Sequence, residues 1–156
     1  MDEITIVEVP NQKVIGIRKK GKYELISQLL PELYQYAASR GAEFIGPPLF
    51  ICHEKSVEDV MKVAQEGNAD IEIAFPIKDD IEETDDMKCY ELQGGKMEKI
   101  IHKGPYEKCE PTYKKLYAWI KENGKTIAGP VREAYLNDPN EVGMEEALTE
   151  IYAPIN

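Results

Sequence analysis

Cysteine, histidine and positive charge are all scarce in this sequence, and each shortage removes a class of function. Among 156 residues there are three cysteines and two histidines. Cys52, Cys89 and Cys109 form no Cys-x-x-Cys pair and are odd in number. A disulfide framework is therefore not expected, and a reducing compartment fits. Cys52 and His53 are neighbours on a predicted strand, which sends their side chains to opposite faces and away from any single metal ion. No metal site and no cofactor is expected. The formal net charge of −10 argues against direct nucleic-acid binding, because phosphates would be repelled. The same charge promotes solubility and mildly favours cationic partners. No apolar run approaches the ~18 residues a membrane helix needs. Met1-Asp2-Glu3 is acidic where a secretory leader is basic. A cytoplasmic protein without membrane contact is the expectation. The Gly-x-Ser-x-Gly, phosphate-loop and His-Glu-x-x-His patterns are absent as well.

What the chain does have is an internal repeat. Lys20-Gly21-Lys22-Tyr23-Glu24 resembles Lys103-Gly104-Pro105-Tyr106-Glu107, 83 positions on. The same offset carries Leu33-Tyr34 onto Leu116-Tyr117, Tyr36 onto Trp119, Gly41 onto Gly124, and Gly46-Pro47 onto Gly129-Pro130. It also carries Asn11-Gln12 onto Gly94-Gly95. Later the offset drops to 78, where Asp70–Ile77 resembles Leu148–Ile155. A collinear series of matches points to duplication. Copy one covers about residues 1–77, an acidic linker about 78–87, and copy two about 88–156, within one domain.

Each copy reads alike. A strand (Ile4–Val9; Lys88–Leu92) meets a tight turn and a second strand (Lys13–Arg18; Lys96–Ile101), with Gly94-Gly95 as a two-residue hairpin signal. A helix follows over about Glu24–Arg40 and about Glu107–Asn123. Its apolar stripe is Leu30, Leu33, Tyr34, Ala37 in one copy and Tyr113, Leu116, Tyr117, Ile120 in the other. Gly41 and Gly124 stop the helices, Pro111 suits a first turn, and Pro31 predicts a kink or a delayed start. The strands Pro48–His53 and Ile71–Phe75, then Val131–Leu136 and Thr149–Ala153, close the copies. Between the first two of these, Ser56–Asn68 predicts a short surface helix. The fold class is α+β: duplicated strand-helix-strand-strand (SHS2-like) modules with pseudo-two-fold symmetry, an antiparallel sheet, two main helices on one face, and a central groove. Such a groove is a common place for a ligand.

Departures from the repeat mark candidate site residues. Glu133 stands where the other copy has Phe50. A carboxylate at a buried strand position must be paired, hydrogen-bonded or part of a site, and the pattern leaves an ion pair, an exposed face and a pocket carboxylate all open. Tyr36 and Trp119 are symmetry mates that flank the stripe. They either pack core or wall the groove, where aromatic faces suit flat or cationic ligands. Tyr106 is either a groove-rim residue or a helix-start anchor, and Tyr23 at the equivalent place favours the anchor. The run Lys78–Asp86 reads as a solvated connector.

His102-Lys103-Gly104-Pro105-Tyr106, Arg132-Glu133-Ala134-Tyr135-Leu136-Asn137-Asp138-Pro139 and Thr149-Glu150-Ile151-Tyr152-Ala153-Pro154-Ile155 resemble the GyrI-like small-molecule-binding domain. This is the effector-binding module of AraC- and MerR-type multidrug-responsive regulators, here in a stand-alone form, and the resemblance covers essentially the whole chain. It implies a groove for bulky, often aromatic and cationic compounds with Glu133 in it, and Trp119, Tyr36, Tyr135, Tyr106 and Phe50 are the further candidates to line that groove. The resulting expectation is a binder that sequesters its ligand or senses it through a partner. It also implies two alternatives. One is a hydrolase of strained cyclopropane-type genotoxic compounds, with Glu133 as general base or electrostatic stabiliser and Tyr135 assisting. The other is an interaction protein whose partner is a regulator or gyrase, met through the acidic run.

Overall fold

The computed structural model describes residues 4–105 and 108–156. Eight strands form one sheet: β1 (Thr5–Val9), β2 (Gln12–Gly21), β3 (Leu49–Cys52), β4 (Ala69–Pro76), β5 (Met87–Leu92), β6 (Gly95–Lys103), β7 (Val131–Tyr135) and β8 (Leu148–Pro154). Three helices of ten residues or more accompany them, α1 (Ile26–Ser39), α2 (Val57–Glu66) and α3 (Glu110–Glu122), and a single turn, α4 (Pro139–Val142), follows β7. The strand order is β1-β6-β8-β7-β3-β4-β2-β5, with every pairing antiparallel. The α+β class and the antiparallel sheet with its two main helices on one side are as the sequence predicts.

Alternation along the strands sorts the side chains onto two faces. Ile15, Ile17, Phe50, Ile71, Ile73, Ile100 and Ile151 join Leu29, Leu33 and Ala37 of α1 and Leu116 and Ile120 of α3 in one large core. On the opposite face lies a smaller cluster of Val14, Leu49, Ile51, Ala74, Leu92 and Ala134. Strand β4 feeds both, so its run from Ile71 to Ile77 is buried throughout. Burying a Leu or Ile side chain stabilises by roughly 1.5–3 kcal/mol.

The hairpins expected at the starts of the two copies do not form. β1 pairs with β6 and β5 pairs with β2, so each first strand crosses to the other half of the chain. The two connections pass in contact: the Gly94 N–H donates to Asn11 Oδ1 at 2.6 Å, and the Gly94 Cα faces the Val9 carbonyl. Gly94 is thus needed for close backbone approach and not for a two-residue turn.

Helix α1 begins later than the periodicity predicts. Residues Tyr23–Leu25 form a 3-10 turn, Ser27 Oγ donates to the Glu24 carbonyl, and Pro31 lies inside the helix. Its buried line is Leu29, Leu33 and Ala37, whereas Leu30 is half-buried and Tyr34 is exposed. Tyr34 instead stacks on Phe44 at 5.0 Å, and Phe44 meets Phe75 edge-on at 5.5 Å. That aromatic contact offsets the lost burial and explains an apolar residue one step off the stripe. Gly41 (φ 78°) and Gly124 (φ 65°) follow the ends of α1 and α3 in the left-handed conformation. The Ser56 side chain caps α2 by accepting the Asp59 N–H at 3.0 Å. α2 contacts both β4 and α3, so it roofs part of the helix side of the sheet.

The acidic connector is fastened to the chain's own cations. Lys13 pairs with Asp80 at 3.4 Å, Lys19 with Asp86 at 3.6 Å and Arg40 with Glu82 at 3.8 Å. The Cys89 N–H donates to Glu83 Oε2 at 2.7 Å. Each exposed pair is worth at most about 1 kcal/mol, and together they hold the segment along β2, β5 and α1.

Candidate functional site

The two central strands of the sheet, β3 and β7, meet at a pair of unequal residues. Phe50 lies directly opposite Glu133, and Ile151 of β8 flanks Glu133 on its other side. Both neighbours belong to the main core, so the fold places a carboxylate among apolar side chains. Three hydroxyl-bearing rings gather there. Tyr113, from the first half of α3, donates its hydroxyl to Glu133 Oε2. Tyr135, two residues along β7 on the same face, donates to Oε1 at 3.2 Å. Tyr117 lies one helical turn beyond Tyr113, its ring centroid 6.1 Å away. Across β3, Tyr23 meets Phe50 edge-on at 6.2 Å and donates to Glu54 Oε1 at 3.3 Å.

Electrostatics follow from this placement. Burial raises the Glu133 carboxyl, opposed by the Tyr113 and Tyr135 hydrogen bonds and by the nearby His102. Burial likewise pushes Tyr113 well above its ordinary range, with the Glu133 charge adding to the effect. Tyr117 and Cys52 are each pushed up to about 12, first by burial and then by neighbouring negative groups. All these hydroxyls and thiols are neutral near physiological pH. Among the described residues no lysine or arginine forms an ion pair with Glu133. The arrangement is a carboxylate satisfied by neutral donors and walled by aromatic rings. It can attract a cation, and it can exchange a proton.

His102 is buried next to this region but is held for structure. Its Nε2 donates to the Pro105 carbonyl at 3.0 Å, and its Nδ1 shares a hydrogen bond with Thr112 Oγ1 at 3.0 Å. The two contacts anchor the start of α3.

Of the residues singled out in the sequence, the structure brings together Glu133, Tyr135 and Phe50. Trp119 packs half-buried at the margin of the main core. Tyr36 is turned toward the connector, where its hydroxyl donates to the Glu82 carbonyl at 2.5 Å and the Arg40 guanidinium lies 5.3 Å from its ring centre. Tyr106 lies outside the described residues. Tyr113, Tyr117 and Tyr23 surround the carboxylate, yet their helical spacing and repeat position read only as core and helix-start residues. The signal for them was chemical: two tyrosines in an apolar stripe bring hydroxyls that need acceptors. Two surface cavities, of about 360 and 290 Å³, lie elsewhere, and Glu133 lines neither. Glu133, Tyr113, Tyr117 and Tyr135 are each half-buried, so the cluster reaches the surface of the helix side of the sheet.

A family model described as a GyrI-like small molecule binding domain matches residues 2–156. No curated protein matches in sequence. Among solved structures, the EcmrR C-terminal domain is 21% identical with a TM-score of 0.87, covering 99% of this chain and 97% of that one. The EcmrR chain solved in complex with DNA has the same identity and TM-score, and this chain spans 57% of its length. A hydrolase from Listeria innocua is 15% identical with a TM-score of 0.69, covering 99% and 92%. SAV2435, solved bound to tetraphenylphosphonium, is 14% identical with a TM-score of 0.63, covering 99% and 94%. At these identities the likeness is one of fold.

Proposed function

Since this chain belongs to the GyrI-like small molecule binding domain family, we propose that it binds bulky aromatic cations at Glu133, either sequestering them or sensing them for a partner protein. The observation that carries this reading is the carboxylate itself. It stands half-buried beside the core with tyrosine hydroxyls as its donors, so in its charged form it lacks a fixed counter-charge. A cation whose body is aromatic supplies that charge and stacks on the same rings. The strand order supports a duplicated chain as well. Exchanging the names of the two halves and reading the order backwards returns the same order, with β3 and β7 at its centre. Glu133 then sits at the junction of two copies, and the acidic connector, engaged by the chain's own cations, is a linker.

The test is a titration with tetraphenylphosphonium followed by Trp119 and tyrosine fluorescence. Saturable binding is expected, weakened at least about tenfold in Glu133→Gln, as removal of a desolvated charge partner requires. Equal affinity in the variant would refute the carboxylate's role.

A second reading rests on the raised carboxyl. Glu133 beside the hydroxyls of Tyr113 and Tyr135 is also a general-base arrangement: it would take a proton from a water whose oxygen bonds to a ring carbon as the strained C–C bond breaks, the electron pair passing to an electron-accepting group of the substrate, which is then protonated. Turnover of a cyclopropane-containing substrate beyond one equivalent, lost in Glu133→Gln, would support it, and strictly stoichiometric binding would oppose it.

A further inference from the structure

The face of the sheet away from the helices carries a second polar side chain with an unmet need. Arg132 is 8% exposed and projects from β7 beside Leu49 and Ala134. Its Nη2 donates to the Gln93 carbonyl, whereas Nη1 is buried with no partner. Desolvation pulls the guanidinium pKa down, the signature of a cation whose surroundings do not balance its charge. It lines the cavity of about 290 Å³, whose apolar walls include Val7, Leu49 and Met97. That volume lies at the lower end of small-molecule sites.

The nearby charges are already engaged. Glu150 receives Lys99 at 3.2 Å on one oxygen and the Tyr152 hydroxyl at 3.0 Å on the other. Glu72, whose field reaches Arg132, receives His53 at 2.7 Å and the Tyr90 hydroxyl at 2.6 Å. Glu8 lies exposed at the cavity rim. Among the described residues, the guanidinium thus brings to this cavity, walled by apolar and polar side chains alike, a positive charge without an ion-pair partner and one nitrogen without a hydrogen bond.

We propose that this cavity is a second ligand site, distinct from Glu133, for a small monocarboxylate with an apolar or aromatic body. The carboxylate accepts from Arg132 Nη1, and the body lies against Val7, Leu49 and Met97. A monoanion is favoured over phosphate because Glu8 and Glu150 repel a second negative charge, and because the walls reward apolar area.

The probe is benzoate, titrated into the isotope-labelled full chain and followed by amide chemical shifts. The expected result is a saturable set of shifts at Val7, Leu49 and Tyr152. Affinity falls at least about tenfold in Arg132→Met, consistent with loss of a charge-assisted hydrogen bond. Affinity is unchanged in Glu133→Gln, which separates this site from the cation site. Benzamidine, of the same shape but opposite charge, leaves those amides unmoved. The proposal is overturned if about 10 mM benzoate, a concentration adequate for weak binding, produces no saturable shifts. Shifts centred on the helix face, or equal affinity in Arg132→Met, overturn it too. Should that variant not fold, the wild-type shift map with benzoate and benzamidine decides alone.

Discussion

Replacing Glu98 with methionine should make the protein more stable at alkaline pH and leave much less gain at acid pH. Glu98 lies on β6 opposite Ala153 of β8 and Ile6 of β1, on the helix side of the sheet. It is fully buried, and neither carboxyl oxygen has a partner. Burial pushes its carboxyl from 4.5 up to about 7. Because the folded value lies above the unfolded one, the folded state holds the proton more tightly between them. Stability is therefore fully present below about pH 4.5 and is lost as pH rises through about 7. The full span corresponds to about 3 kcal/mol, and between about pH 5.5 and 8.5 to about 2 kcal/mol. Strand β6 is one place from the sheet edge, so solvent screening reduces this, and about 1–2 kcal/mol is expected. Methionine keeps the length of the side chain and removes the charge. Urea unfolding of both proteins at the two pH values isolates the effect, since every other titrating group cancels in the comparison. A stability difference that does not change with pH would refute the reasoning.

Two other consequences concern the crossing connections and the carboxylate site. A Cβ at Gly94 would lie 2.1 Å from the Val9 carbonyl oxygen and 2.5 Å from the Pro10 carbonyl carbon, and backbone cannot yield as a side chain does. Gly94→Ala is expected to destabilise by about 2–4 kcal/mol in chemical denaturation, and a loss below about 0.5 kcal/mol would show the crossing to be looser than described. Tyr113→Phe removes a donor that holds the Glu133 carboxyl down. The carboxyl then rises further, cation affinity increases with pH through a higher midpoint than in the wild type, and binding measured across a pH series reports the displacement. A midpoint that stays in place or moves down would contradict it.

Glu133 was legible as a candidate because the repeated pattern supplied a control: a carboxylate stands where the matching position 83 residues earlier has Phe50, and the structure puts those two side by side on the central strands. The helices and strands were legible from periodicity and from Gly41 and Gly124. The pairing partners of β1 and β5 were not, because a two-residue connection between strands has the same local chemistry whether it closes a hairpin or crosses to another strand. Only the crowding between Gly94 and Val9 distinguishes the two, and that is a contact between segments 85 positions apart. Tyr34 misled for a related reason. Helical spacing counts apolar character, whereas its burial was replaced by a stack on Phe44 from outside the helix. Arg132 and Glu98 left no sequence signal, since strand alternation says which face a residue takes but not whether a partner awaits it there.

The most direct test of the central claim is the structure of this protein crystallised with tetraphenylphosphonium. The account predicts a phosphonium centre within Coulombic reach of the Glu133 carboxylate, with phenyl rings packed against the rings of Tyr113 and Tyr117. A cation found against the connector carboxylates Asp79–Asp86, with Tyr113 still bonded to Glu133, would contradict it.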